Sequence, residues 1–321
     1  MKKTSLRLGL FIALIVSAGA IFFPRTFLLL DETTVFTDGY ASQVFYVLGV
    51  LSSGGDIFSE QPLFFVHLIR TFISVVFSLL NSMGGAPLEV FVLSLFILPV
   101  VDLFVGAKRG WISFLLFFLV FLLSFRSVLV CLSVGYLLLY QLRQPKPMYL
   151  LVSFIFASLS SGAVLFCVML VAREGIQCIW KRKAYLLYFF LSLTSLLISV
   201  QNKLVGFASG DSGYQSTVGD STGLVAAISR NTIIVSILEG NYLRAAVYIL
   251  ICLLVVFFLL KSFLDEDARW YRFVFSAGVP VMFFEGLGVI ALLVPLLMMI
   301  AKLEVLPDSQ VNRKIREGLW K

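Results

Sequence analysis

The sequence predicts an all-α, polytopic integral membrane protein with about eight to eleven transmembrane or re-entrant helices. Three observations carry this expectation. Apolar residues make up 60% of the chain, and mean hydropathy is +1.01. Charged residues are 13%, against about 25% in a soluble domain that must stay solvated. The apolar residues also gather in near-continuous runs, with the few charges in the gaps or inside the runs. At about 20 residues per span, residues 1–321 form one membrane domain with no stretch left for a soluble catalytic domain. Any active site is then built from helix ends, short loops and intramembrane polar groups.

The net charge of +7 and isoelectric point near 9.3 fit cytoplasmic loops and anionic lipid contact. Nucleic acid is not an expected partner, because no basic-aromatic surface segment exists to carry it. Cys131, Cys167 and Cys252 fall in apolar runs, and Cys178 lies beside a basic loop. None forms a CxxC, and the chain has a single histidine, so they read as small packing residues and no metal site is expected.

The start, MKKTSLRLGLFIALIVSAGA, has the basic lead and small residues of a signal peptide, but its apolar run continues to Leu30. A retained first helix is expected from about Leu8 to Leu30, with Lys2, Lys3 and Arg7 holding the N-terminus in the cytoplasm. Residues 31–61 form an outer loop. Within it Tyr40 to Leu51 is too short to span and reads as an interfacial or re-entrant helix, closed by Ser52-Ser53-Gly54-Gly55. Pro62 opens the next span, to about Leu80. Asn81-Ser82-Met83-Gly84-Gly85 predicts a tight turn, and Pro87 begins a return span to about Val105, giving a helical hairpin.

Two short apolar helices follow, Trp111 to Ser124 and Ser127 to Leu142, with Arg126 at their joint. RQPKP, residues 143–147, is a basic, proline-broken loop. Tyr149 to Ala172 is helical with an interruption at Ser160-Ser161-Gly162, and Arg173 to Lys183 is basic again. Turning the chain at Arg126 and at 160–162 on the outer side places both basic loops inside, as the positive-inside trend requires. Ala184 to Val200 is a further span, residues 201–242 a second outer loop, and Leu243 to Leu260 another span. Residues 273–301, with Pro280, Glu285-Gly286 and Pro295, predict a kinked or folded-back segment.

Charges at bilayer depth are expensive and face a partner, a cavity or a ligand. His67 and Arg70 share a face of the second span, and in a hairpin either can reach Asp102. That contact locks the hairpin, or else Arg70 meets a substrate phosphate. Arg126 stands between two apolar helices with no acid near it in sequence. A guanidinium matches phosphate oxygens in bidentate geometry, so at an outer mouth it binds a lipid phosphate; at the cytoplasmic face it is an ordinary loop cation. Glu285 reads as a proton site or a partner for Arg70 or Arg126. Asp31, Glu32, Asp38, Asp56 and Glu60 of the first outer loop are solvated loop acids, or a carboxylate base for an acceptor hydroxyl. Asp211 and Asp220 read as loop-forming or sugar-binding groups.

TDGYASQVFYVL followed by SEQPLFFVHLI resembles the opening of EpsG-like, Wzy-type polysaccharide polymerases. The correspondence falls on Asp38, Tyr40, Glu60, Pro62 and Phe64. FRSVLVCLSVGYLLLYQLRQPKPMYLLVSFIFASLSSGAVLF resembles that family's Arg-led helix, basic turn and helix pair, with the Arg at Arg126. Where many relatives carry a histidine, this chain has Ser160-Ser161-Gly162. The first loop, through Asp31-Glu32 and GGDIFSEQPLFF, is also similar to GT-C glycosyltransferases.

These resemblances imply a Wzy-like or GT-C-like bundle in the bacterial inner membrane. The implied activity is polymerisation of polyprenyl-diphosphate-linked oligosaccharide repeat units at the outer leaflet. Arg126, with Arg70, would stabilise the leaving diphosphate, and Asp38 or Glu60 would act on the acceptor hydroxyl. Tyr40, Tyr214, Asp31 and Glu32 would contact substrate. Implied partners are polyprenyl-linked glycans, membrane lipids, a chain-length regulator and a flippase. No cofactor is implied, except a divalent cation on the GT-C reading, in which Asp31 or Glu32 serves as base for a single-sugar transfer. The rival class is a transporter or flippase with His67, Arg70, Asp102 and Glu285 along its path.

Overall fold

A computed structural model describes residues 64–104, 125–158, 160–175, 179–180, 182–209, 232–238, 240, 242–265, 268–284 and 288–301, with Phe11, Leu14, Ile15, Ala18, Ser52 and Ser53. Among the described residues every regular element is helical and there is no strand. The elements are α1 (Phe64–Val101), α2 (Phe125–Leu142), α3 (Pro147–Ala157), α4 (Ser161–Arg173) and α5 (Lys183–Ser209). They continue with α6 (Thr232–Leu238), α7 (Tyr242–Leu264), α8 (Arg269–Phe284), α9 (Gly288–Ala291) and α10 (Leu293–Ile300). Among the described residues, two stretches are long and apolar enough to cross a membrane, Lys183–Gln201 and Ala245–Leu264.

The bundle is organised around α2. Every residue from 128 to 141 is buried, so this helix meets protein on all sides, as an all-round apolar helix must. Its main neighbours are α1, α3, α4, α9 and α10, and its C-terminal end also meets the start of α5. α2 and α3 turn about residues 143–146, with Pro147 in the first helical turn, where its missing N–H costs nothing. The break expected at 160–162 falls at 158–160: Ser160 caps α4 by accepting from the Ala163 amide at 3.4 Å. α4 ends at Arg173, and Gly175 carries a φ of 85°, the left-handed region that closes a helix at little cost only with glycine. Residues 273–301 fold back as expected. α8 rises and α9–α10 return beside it, with the Leu292 side chain filling the space over Gly278.

The hairpin expected at 81–85 is not formed. α1 runs unbroken for 38 residues, through Gly84, Gly85 and Pro87. The physical reason is that each breaker is a finite cost, about 1 kcal/mol for a helical glycine and about 3 for a proline. Summed over 38 largely apolar residues, these local costs do not break the helix. The helix is about 57 Å long at 1.5 Å per residue, nearly twice the hydrocarbon core of a bilayer. A second difference is at α5, which continues to Ser209, inside the stretch expected as outer loop.

Candidate functional site

The two ends of α2 differ in chemistry. At its C-terminal end four chain segments converge. Arg143 Nη2 donates to the Leu103 carbonyl at 3.1 Å, joining the end of α1 to the α2–α3 turn. Arg182 lies over the Tyr140 ring, 5.8 Å from its centroid, joining the start of α5 to α2. Arg173 sits 5.4 Å from the Phe273 ring, joining α4 to α8. Arg272 donates to the Ser262 carbonyl at 2.8 Å and to that of Asp265 at 3.2 Å, closing the α7–α8 turn. The charged side chains described are Arg143, Lys146, Arg173, Arg182, Lys183, Lys261, Arg269 and Arg272, with Asp102, Glu174 and Asp265. All lie at this one end, which is strongly basic.

From that end a seam of buried polar groups enters the bundle. Gln141 Nε2 donates to the Tyr185 hydroxyl at 2.7 Å, and Tyr185 stacks on Tyr140 with centroids 5.3 Å apart. Deeper, Ser153 Oγ donates to the Ser133 carbonyl at 2.7 Å and lies 2.9 Å from the Tyr188 hydroxyl. With the serine proton given to Ser133, Tyr188 is the donor of that second bond. Tyr185, Tyr188, Ser192 and Ser195 form one inward stripe of α5, and the Ser192 hydroxyl is buried without a hydrogen-bond partner. The sequence reading missed this seam, although hydroxyls at spacings of three and four in an apolar run are the signal that marks it.

The other end of α2 begins with Arg126, in the first helical turn. From Leu142 it is about 24 Å up the helix axis, so Arg126 lies at the opposite end from the basic cluster. Arg70 also belongs to a described helix, but not to the same level. α1 and α2 meet where Val100 faces Gly135 and where the Tyr136 hydroxyl donates to the Phe96 carbonyl at 2.8 Å. Measured from there, Arg126 is about 14 Å along α2 and Arg70 about 45 Å along α1.

The contact expected between Arg70 or His67 and Asp102 is therefore corrected. In one continuous helix, over 45 Å of axis separates Arg70 from Asp102. Among the described residues, Arg143 and Lys146 lie within electrostatic reach of Asp102. Asp31, Glu32, Asp38, Tyr40, Glu60, Tyr214 and Glu285 lie outside the described residues. Among the described residues no group of three His, Cys, Asp or Glu side chains is placed to hold a metal ion. Cys131 and Cys167 are buried in the core and Cys252 is half-buried, all as free thiols.

No family model, curated protein or solved structure matches this chain.

Proposed function

We propose that the chain is a polytopic protein of the bacterial inner membrane, with its N-terminus in the cytoplasm. In this reading it is a glycosyltransferase that polymerises polyprenyl-diphosphate-linked oligosaccharide repeat units at the outer leaflet. The observation that supports the reading is the polarity of α2, with the basic loops gathered at one end and Arg126 at the other. Excess Lys and Arg mark the cytoplasmic side. The opposite end of a helix about 24 Å long then falls near the outer boundary of the hydrocarbon core, where a polyprenyl diphosphate head resides.

In the proposed reaction the acceptor sugar hydroxyl attacks the anomeric carbon of the donor glycan. The bond from that carbon to the diphosphate oxygen breaks, and the diphosphate departs with the electron pair. Arg126 stabilises the negative charge as it develops, since a guanidinium stays ionised when desolvated. Asp38 or Glu60 takes the hydroxyl proton, and residues 201–230, with Tyr214, hold the glycan. Arg70 is left out of this charge-stabilising role because its level on α1 differs from that of Arg126.

The test is Arg126→Ala, expected to abolish polymer at unchanged protein level in the membrane. Wild-type polymer length in that variant removes Arg126 from the mechanism. Deleting the gene and profiling lipid-linked glycans separates the classes. Accumulated single repeat units mean a polymerase, and long chains missing one sugar mean a single-sugar transferase. An unchanged profile moves transport to the front.

A further inference from the structure

We infer that the basic end of the bundle is a docking surface for anionic phospholipids of the cytoplasmic leaflet, centred on Arg143 and Arg182 at the C-terminal end of α2. This deepens the membrane reading above and rests on it. Headgroup and tails are both provided for. The cations are held back against aromatic rings at the level where the apolar helices end: Arg182 over Tyr140, and Lys146 5.9 Å from the Tyr149 ring. The same arrangement recurs on α7, with Lys261 5.8 Å from the Phe258 ring, and in the α7–α8 turn, with Arg272 5.1 Å from that of Phe263. A cation over a ring keeps its charge at the level of the headgroups while its stem covers apolar surface.

Exposed apolar side chains begin directly beside these cations. Leu187 follows Lys183 by one turn on α5, and Leu260 adjoins Lys261 on α7, at 60% and 62% exposure. A lipid whose tails cover them brings its headgroup beside the cations. Trp180, 64% exposed, and the half-buried Trp270 lie at the same end, where amphipathic rings settle at headgroup depth. Among the described residues, Asp102 and Glu174 are the acids of this centre, against the cations Arg143, Lys146, Arg182 and Lys183.

The experiment uses the full chain in neutral detergent, with phosphatidylglycerol or phosphatidylcholine added and retained lipid counted by native mass spectrometry. Phosphatidylglycerol is expected to be retained at least tenfold over phosphatidylcholine. Arg143→Gln with Arg182→Gln should lower that retention more than tenfold, at roughly fivefold per surface cation. If that pair misfolds, Lys146→Gln with Lys183→Gln replaces it, since both side chains are exposed. Equal retention of the two lipids, or equal retention by wild type and variant, overturns the proposal. Inorganic phosphate raising the melting temperature as much as phosphatidylglycerol also overturns it, in favour of a soluble phosphate ligand. A carbonate wash of native membranes tests the underlying reading separately. Release of the chain rejects membrane integration, whereas a chain that stays while showing no lipid preference rejects only the docking surface.

Discussion

Val100 on α1 lies so close to Gly135 on α2 that a methyl group at Gly135 would meet Val100 Cγ1 at 2.7 Å. The absent side chain is what lets the two helix backbones approach, and the central helix is held against α1 at this point. Small residues at helix crossings serve this purpose where packing rather than water expulsion drives association.

Gly135→Ala should therefore destabilise the protein by about 1–3 kcal/mol, the usual cost of overpacking a filled interface. Val100 is β-branched and stiff about χ1, so it cannot swing aside cheaply. Val100→Ala in the Gly135→Ala background should recover most of the loss. Thermal unfolding of the four proteins as a double-mutant cycle measures the coupling, and strictly additive effects would show that the helices do not touch here.

The Ser153 hydroxyl links three elements, donating to the Ser133 carbonyl on α2 and accepting from Tyr188 on α5. Tyr188→Phe removes one donor and leaves the bond to Ser133 intact, a loss of about 1 kcal/mol. Ser153→Ala removes both bonds at once and leaves the buried Tyr188 hydroxyl with the weakly bonding Cys167 thiol in reach, which costs about 1–3 kcal/mol. The expected order is Ser153→Ala worse than Tyr188→Phe, with the double variant little worse than Ser153→Ala alone. Melting temperatures in the reverse order would contradict the donor assignment.

Much of this bundle was legible because its punctuation is strong. Ser160 falls in the expected break and caps α4, and residues 273–301 fold back as expected, although Pro280 lies inside α8 and Pro295 in the first turn of α10; Pro147, read as the end of a loop, opens α3. The path through Gly84, Gly85 and Pro87 was not legible. A pattern of breakers reports local cost, while a long helix is decided by the sum over all its residues. The seam of Gln141, Ser153, Tyr185 and Tyr188 was hidden for another reason. Isolated hydroxyls look bland in an apolar run until the fold shows which of them face each other. Arg126 stood out in sequence as a lone cation, but its position opposite the basic loops needed the topology of α2.

The continuity of α1 is open to a direct check with Phe72→Cys and Leu95→Cys, both at exposed positions. A hairpin turning near residues 83–84 would bring them face to face across a helix pair, at about 10 Å. In the single helix they are about 35 Å apart along the axis. A bis-maleimide of about 10 Å reach should give no intramolecular link in the alkylatable double variant. Efficient linkage would restore the hairpin, and with it the pairing of Arg70 with Asp102.

The proposed chemistry requires opposite sidedness for Arg126, in the first turn of α2, and Arg143, just past its last residue. In a background with the native cysteines replaced by alanine, single cysteines are placed at each position in turn. Intact cells are treated with a membrane-impermeant maleimide, before and after permeabilisation. Position 126 should label from outside intact cells, and position 143 only once the membrane is opened. This outcome follows from the charge asymmetry alone, because reversing it would place the basic end on the side that excess Lys and Arg avoid. Labelling of 143 from outside, with 126 protected, would put Arg126 at the cytoplasmic face. A guanidinium there meets no outer-leaflet diphosphate, so the leaving-group role would fall even if Arg126→Ala still lost activity. Labelling of both positions from the same side would instead mean that α2 does not cross, and the central helix would have to be read as the core of a different bundle.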